Sequence, residues 1–256
     1  MGLKARKGYK NPVVIQVECG LINAMGLPNP GILRFREVIS ETKVLGVPLI
    51  VSIYGFSPEE YAEVASIAVS AGADAVELNL SCPHVGGTGV EIGQDFVKAA
   101  ETVKNVKRDV SEPVFVKLSP NVSNIAEIAK AVAEAGADAI NAINTVRAMA
   151  IDVWACSPIL SNKYGGLSGP ALHPIVVALV YEAFEKTKRP IVGAGGVATW
   201  EDAVELMLAG ATAIQIGSVL GEKGANFFKE LCESLSLYLE RKGLNLSEVV
   251  GLAHRA

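Results

Sequence analysis

In the stretch ELNLSCPHVGG, residues 77–87, an apolar run ends at Asn79 and then presents Ser81, Cys82 and His84 ahead of a glycine pair. A thiol placed there can take a proton. Its reference pKa of about 8.5 leaves only a few per cent thiolate at neutral pH, and neighbouring charges readily tune it. The chain has 4 cysteines and 3 histidines. Cys19, Cys82, Cys156 and Cys232 are widely separated and include no C-x-x-C pair, which argues against zinc, an iron–sulfur cluster or a disulfide framework in this chain. No metal site is expected, and a cysteine that works here works alone.

Other polar residues share this placement. Lys117 and Asn121 close or follow the run PVFVKLS, Asn144 and Thr145 follow DAINAIN, Gly195 and Gly196 close PIVGAG, and Gly217 and Ser218 end TAIQIGS. Each has a structural alternative. Asn79 and Asn144 could cap loops, Cys82 could be a small buried apolar residue, Lys117 could be solvated at a strand exit, and the glycines could be tight turns. Their recurrence at one end of successive apolar runs favours chemistry over those alternatives.

The elements that must carry these residues follow from the pattern. At 256 residues, half of them hydrophobic, the chain can bury a large core in one α/β domain spanning 1–256. Short apolar runs alternate with longer amphipathic ones, as in β/α units wound into a parallel sheet. Six strands are predicted, opening at Val47, Asp74, Pro113, Asp138, Pro190 and Thr212. Helices are predicted to start near Ser57, Asp95, Ser123, Ala171 and Thr199, several at an N-cap residue, with a last one over 224–242. AGADA at 71–75 and at 135–139 and AGATA at 209–213 each close a helix and launch a strand, which fits a symmetric TIM (β/α)8 barrel better than an open two-faced sheet. Val146 to Pro170 reads as one extended loop without a clear period, and loops of that length tend to be functional.

In such a barrel the active site lies at the carboxyl ends of the strands, where all these polar residues fall. GAGG at 193–196 and IGS at 216–218 follow the last two strands, where barrels bind phosphate through backbone N–H groups that a side chain would hold off. A phosphate-bearing cofactor is therefore expected. No G-x-G-x-x-G follows a strand, so direct dinucleotide binding is not supported. The net charge of -4 is spread along the chain, with no basic stripe for nucleic acid. No apolar run approaches the length of a membrane span, and the start MGLKARKGYKNP has no apolar core of a signal peptide, so a cytoplasmic location is expected.

With ELNLSCPH, VKLSPN, INT, GGLSGPA, GAGG and IGS in this order, the chain resembles the class I dihydroorotate dehydrogenases, FMN enzymes of pyrimidine synthesis. The segments NAMGLPNPG and SPILSNKYGGLSGPALHP are similar especially to the NAD-linked branch. The resemblance implies oxidation of dihydroorotate to orotate with FMN as hydride acceptor, a homodimeric core, and a partner subunit that carries FAD and a 2Fe–2S cluster. It implies that Cys82 is the catalytic base and that Lys117 contacts the flavin. By the same resemblance Asn23, Asn79, Asn144 and Thr145 bind substrate, while Ser52, Asn79, Lys117, Ile143, Gly169, Gly195, Gly196, Gly217 and Ser218 form the FMN shell.

Three departures from the family pattern stand out. His84 occupies a substrate-contacting position where many members have Asn, and CPH followed by GQD at 93–95 also resembles the pyrimidine-reducing domain of dihydropyrimidine dehydrogenase, an alternative enzyme class. Ser52 stands where the family usually has a flavin-contacting Asn. Six strands also fall short of a closed (β/α)8 barrel. By resemblance the chain begins just after the second strand, without the Thr-Lys-Ser turn, and the expectation is a functional protein with roughly 40 to 60 more residues ahead of Met1. A six-stranded sheet would leave both edges unpaired. A non-catalytic FMN-binding barrel or assembly subunit is the alternative of another kind. It predicts a lost base, yet Cys82 and Lys117 are both present.

Overall fold

The computed structural model describes residues 1–80 and 92–255, with the backbone alone at 89–91. The chain opens with a hairpin of β1 (Val14–Val17) and β2 (Gly20–Asn23), followed by helix α1 (Ile32–Lys43). Then come β3 (Ile50–Ile53), α2 (Pro58–Ser70), β4 (Ala75–Asn79), α3 (Gly89–Gln94), α4 (Phe96–Asp109), β5 (Val114–Lys117), α5 (Ile125–Glu134) and β6 (Ala139–Ala142). Four short strands follow, β7 (Val146–Ala148), β8 (Ile151–Asp152), β9 (Ser157–Pro158) and β10 (Gly165–Ser168). The chain continues through α6 (His173–Thr187), β11 (Ile191–Ala194), α7 (Trp200–Leu208), β12 (Ala211–Gln215), α8 (Leu220–Lys223), α9 (Asn226–Lys242) and α10 (Leu246–Val249).

Six strands lie side by side in the order β3, β4, β5, β6, β11, β12, and every neighbouring pair is parallel. The order never reverses along the chain. A doubly wound sheet requires a reversal, whereas a barrel wall advances in one direction, so the topology is that of a TIM-type wall. Among the described residues β3 and β12 have no further strand beside them, as the six-strand reading expects.

The wall has two unlike faces. On β4, Val76 and Leu78 are fully buried, and so are Val114 and Val116 on β5. These pack in one cluster with Tyr61 and Val64 of α2, Val103 and Val106 of α4, and Ile128 and Val132 of α5. Strand side chains alternate between faces, so the intervening Glu77, Asn79 and Lys117 turn to the barrel interior. Register brings them level: Ser52 pairs with Glu77, Asn79 with Lys117, and Lys117 with Asn141.

The repeated AGADA segments have a shared physical task. Asp74 accepts the Leu49 amide at 2.7 Å and the Lys43 ammonium at 2.6 Å. Asp138 does the same for the Val114 amide at 2.8 Å and the Lys107 ammonium at 2.9 Å. In AGATA, Thr212 instead donates its hydroxyl to the Ile191 carbonyl at 3.0 Å. Each repeat thus ties the base of one strand to the base of the strand before it.

The helix starts at Ser57, Asp95 and Thr199 are N-caps as the sequence predicts, and Thr199 forms a capping box with Asp202. Asn124 rather than Ser123 caps α5. The N-terminal segment adds a β-hairpin and a helix ahead of the first wall strand. One expectation is corrected. The 146–170 segment contains four short strands, and β7 and β10 join the hairpin in an antiparallel sheet of order β1-β2-β10-β7. The pairing that joins the two halves of this sheet is distant in sequence, Gly166 with Asn23, so no local period could announce it.

Candidate active site

The interior face carries a hydrogen-bonded polar cluster. Glu77, only 4% exposed, accepts the Ser52 hydroxyl at 2.7 Å on Oε1. Its Oε2 accepts the Asn141 side-chain amide and, at 3.4 Å, the Gln215 amide. Asn141 Nδ2 also donates to Gln215 Oε1 at 3.1 Å. Lys117 donates its ammonium to that same Gln215 oxygen. Burial lowers the Lys117 pKa from its ordinary value, and the Glu77 carboxylate partly opposes the shift.

Above this cluster opens a cavity of about 460 Å³, within the range of small-molecule sites. Lys117, Ser52, Glu77 and Gln215 form its floor, Ile143, Asn144, Thr145 and Gly169 one side, and Gly195, Gly196, Gly217 and Ser218 the other. Every residue assigned to the FMN shell except Asn79 lines it. The Ala142–Ile143 peptide is cis. Ile143 N donates to the Ala194 carbonyl and Asn144 N to the Leu118 carbonyl, both at 3.0 Å, which anchors this turn to the neighbouring strands.

The glycines serve the site by two routes. A Cβ on Gly196 would lie 2.6 Å from the His173 amide nitrogen, and one on Gly195 would lie 2.9 Å from Val176, both behind the loop. Gly196 also has φ +74, a left-handed conformation that favours glycine. These two glycines therefore also let the loop sit on the start of α6. Gly217 differs: among the described residues a Cβ there meets no atom within 4 Å. Gly217 is the position where a side chain would reach open space.

The four positions assigned to substrate gather at the rim. Asn144 Nδ2 donates to Asn79 Oδ1 at 3.3 Å, and Thr145 N donates to Asn144 Oδ1 at 2.8 Å. Tyr61 donates its hydroxyl to the Asn79 carbonyl at 2.8 Å. Asn121 Nδ2 donates to the Thr145 carbonyl at 3.1 Å. Gly166 packs directly on the Thr145 side chain, and the Gly166 carbonyl accepts from Asn23 Nδ2 at 3.3 Å. Asn23 thus reaches the same rim through the antiparallel sheet. Ser81, Cys82 and His84 lie outside the described residues. Cys19, Cys156 and Cys232 are free and exposed.

Glu77, Asn141 and Gln215 are absent from the sequence-based site. They sit inside runs read as apolar strands, but each stands two residues before a rim position, Asn79, Ile143 or Gly217, and so on the same face. That period was the available signal. Among the described residues no group of three His, Cys, Asp or Glu side chains could hold a metal ion, and no helix is long and apolar enough to cross a membrane.

Comparison with known proteins bears on this arrangement. The sequence model of one family, described as dihydroorotate dehydrogenase, matches residues 1–239. The chain is 50% identical over 256 residues to the dihydroorotate dehydrogenase B (NAD(+)) catalytic subunit of Pyrococcus furiosus, covering 100% of this chain and 85% of that protein. The subunit of the same name from Methanocaldococcus jannaschii is 47% identical over 258 residues, with 99% and 84% covered. That from Methanosarcina acetivorans is 44% identical over 256 residues, with 99% and 82% covered. None of these similarities points to the dihydropyrimidine enzymes. With a family match over nearly the whole chain, on a parallel wall whose interior and rim carry the polar residues, the chain belongs to the dihydroorotate dehydrogenase family.

Proposed function

We propose that the protein oxidises dihydroorotate to orotate in pyrimidine synthesis, with FMN bound in the 460 Å³ cavity. The observation that carries this reading is the convergence on one cavity of Lys117, the Asn144–Thr145 turn and the Gly195–Gly196 and Gly217–Ser218 loops. The residues present fit FMN: open space beside Gly217 for a phosphate, backbone and hydroxyl donors around it, and one cation deep in the cavity for the ring. When bound, FMN supplies an acceptor for the hydride from C6 of the substrate.

The chain's own residues do the rest. Cys82, by resemblance, removes the proton from C5 as general base. Asn23, Asn79, Asn144 and Thr145 present amides and a hydroxyl to a planar ring of alternating donors and acceptors and to its carboxylate. Lys117 places a positive charge where hydride acceptance leaves negative charge. Ser52, whose hydroxyl is committed to Glu77, acts on the lysine's surroundings.

The reading includes a homodimeric core, a separate electron-transfer subunit carrying FAD and a 2Fe–2S cluster, and a cytoplasmic location. The names of the relatives, catalytic subunits of an NAD(+) enzyme, support the separate subunit. The test is turnover of dihydroorotate by the purified chain, supplied with FMN, with a soluble dye or with NAD as acceptor. Dye-dependent, FMN-dependent orotate formation is expected, with little NADH. Rapid NADH formation by the single chain, or no turnover with any acceptor, contradicts the reading.

A further inference from the structure

Lys117 reaches the cavity floor from β5, and its ammonium donates to Gln215 at the end of β12 rather than to a carboxylate. An ionised carboxylate only accepts hydrogen bonds, so the donors around Glu77 must turn toward it. Gln215 therefore points Nε2 at Glu77, which leaves Oε1 as the acceptor facing Lys117 and Asn141. Asn141 confirms the constraint from the other side. Its Nδ2 serves both Glu77 and Gln215, and its buried Oδ1 has no partner among the described residues. Ser52 completes the set on Glu77 Oε1. Reversing the Gln215 amide would set oxygen against carboxylate and nitrogen against ammonium.

The amide separates two opposite charges. Asn79 pairs with Lys117 and Glu77 with Phe115, so the carboxylate lies one pleat below the lysine, toward the amino ends of the strands. Without an acceptor between them, Coulomb attraction draws the ammonium down to the carboxylate and away from the cavity. We propose that Gln215, oriented by Glu77, is a positioning residue that holds the Lys117 ammonium at the cavity floor, where it favours the reduced over the oxidised cofactor. This rests on the FMN reading above.

The test compares the affinities of oxidised and reduced FMN, or equivalently the two-electron potential of bound FMN, in the parent and in Gln215→Met, which keeps volume and removes both polar atoms. The preference for reduced FMN is expected to fall about tenfold, equivalent to about 30 mV for a two-electron couple, while oxidised FMN binds within about threefold of the parent. In a Lys117→Met background, which itself weakens the preference, Gln215→Met should add nothing, because it acts through the lysine. Gln215→Leu removes the same two polar atoms and serves if Gln215→Met does not fold. An unchanged preference in either folded variant, or a full additional shift in the Lys117→Met background, overturns the proposal. A parent that binds neither form of FMN overturns the functional reading and this inference with it. A parent that binds both, with Gln215→Met unchanged, overturns this inference alone.

Discussion

Asn144 donates its side-chain amide to the side-chain oxygen of Asn79 across 3.3 Å, spanning the end of β5 that lies between their strands. The Asn144 oxygen is held in turn by the Thr145 amide at 2.8 Å. Two side chains that each could rotate freely as strand-end amides are thereby fixed relative to each other. Replacing Asn144 by Ala removes that fixation while leaving the Gly195–Gly196 and Gly217–Ser218 loops unaltered. Orotate affinity is expected to fall about tenfold, corresponding to about 1.4 kcal/mol, with FMN affinity within about threefold. Titrations of each ligand check this, and an equal loss of both ligands would mean that the rim and the cofactor site are one unit.

Two glycine substitutions should separate packing from binding. A Cβ at Gly166 would lie 1.9 Å from Thr145 Oγ1, so Gly166→Ala should destabilise the fold by ~1–3 kcal/mol and disturb the rim. Among the described residues a Cβ at Gly217 meets no atom within 4 Å, so Gly217→Ala should unfold near the parental midpoint yet bind FMN more weakly. Denaturant unfolding beside FMN titration distinguishes them. Matching stability losses would contradict the assignment of Gly217 to the cofactor.

The lysine should leave a mark on alkaline stability. Its pKa is lowered in the fold, first by burial, from an ordinary value of 10.5, so between the folded value and 10.5 the unfolded chain binds the extra proton. Stability contributed by this group therefore rises with pH through that window and is flat below it. Relative to Lys117→Met, the parent is expected to gain stability as the pH is raised toward 10.5. Parallel stability curves for the two proteins would show that the lysine is not desolvated.

Cys82→Ser should keep FMN and orotate binding but slow reduction of the flavin by dihydroorotate at least ~100-fold at neutral pH, the scale of losing a general base. Ser substitutions at the exposed Cys19, Cys156 and Cys232 should leave the rate near parental. Single-turnover reduction of the four variants tests whether Cys82 alone is required, and a parental rate in Cys82→Ser removes it from the mechanism.

What could be read from the sequence followed local rules. Six parallel strands, the caps at Ser57, Asp95 and Thr199 and the rim positions Lys117, Asn144 and Thr145 all follow from side-chain period and strand-end placement. The β1–β2–β10–β7 sheet was hidden because the pairing that joins its two halves, β2 with β10, links residues more than a hundred positions apart, as in Asn23 with Gly166. Glu77, Asn141 and Gln215 were hidden for another reason. Their polarity is balanced only by one another across the barrel interior, and a buried charge looks like an interruption of a strand until its partners are in place. Gly195 and Gly196 line the cavity that the sequence points to, and the backbone adds a second demand for glycine there: room for α6.

The most direct measurement is anaerobic mixing of the FMN-loaded protein with dihydroorotate, dihydrouracil and dihydrothymine in parallel, following the loss of flavin absorbance. Bleaching by dihydroorotate, with the other two inert, is the predicted result. Bleaching by dihydrouracil or dihydrothymine in preference to dihydroorotate, or a flavin that none of the three reduces, would contradict the assignment.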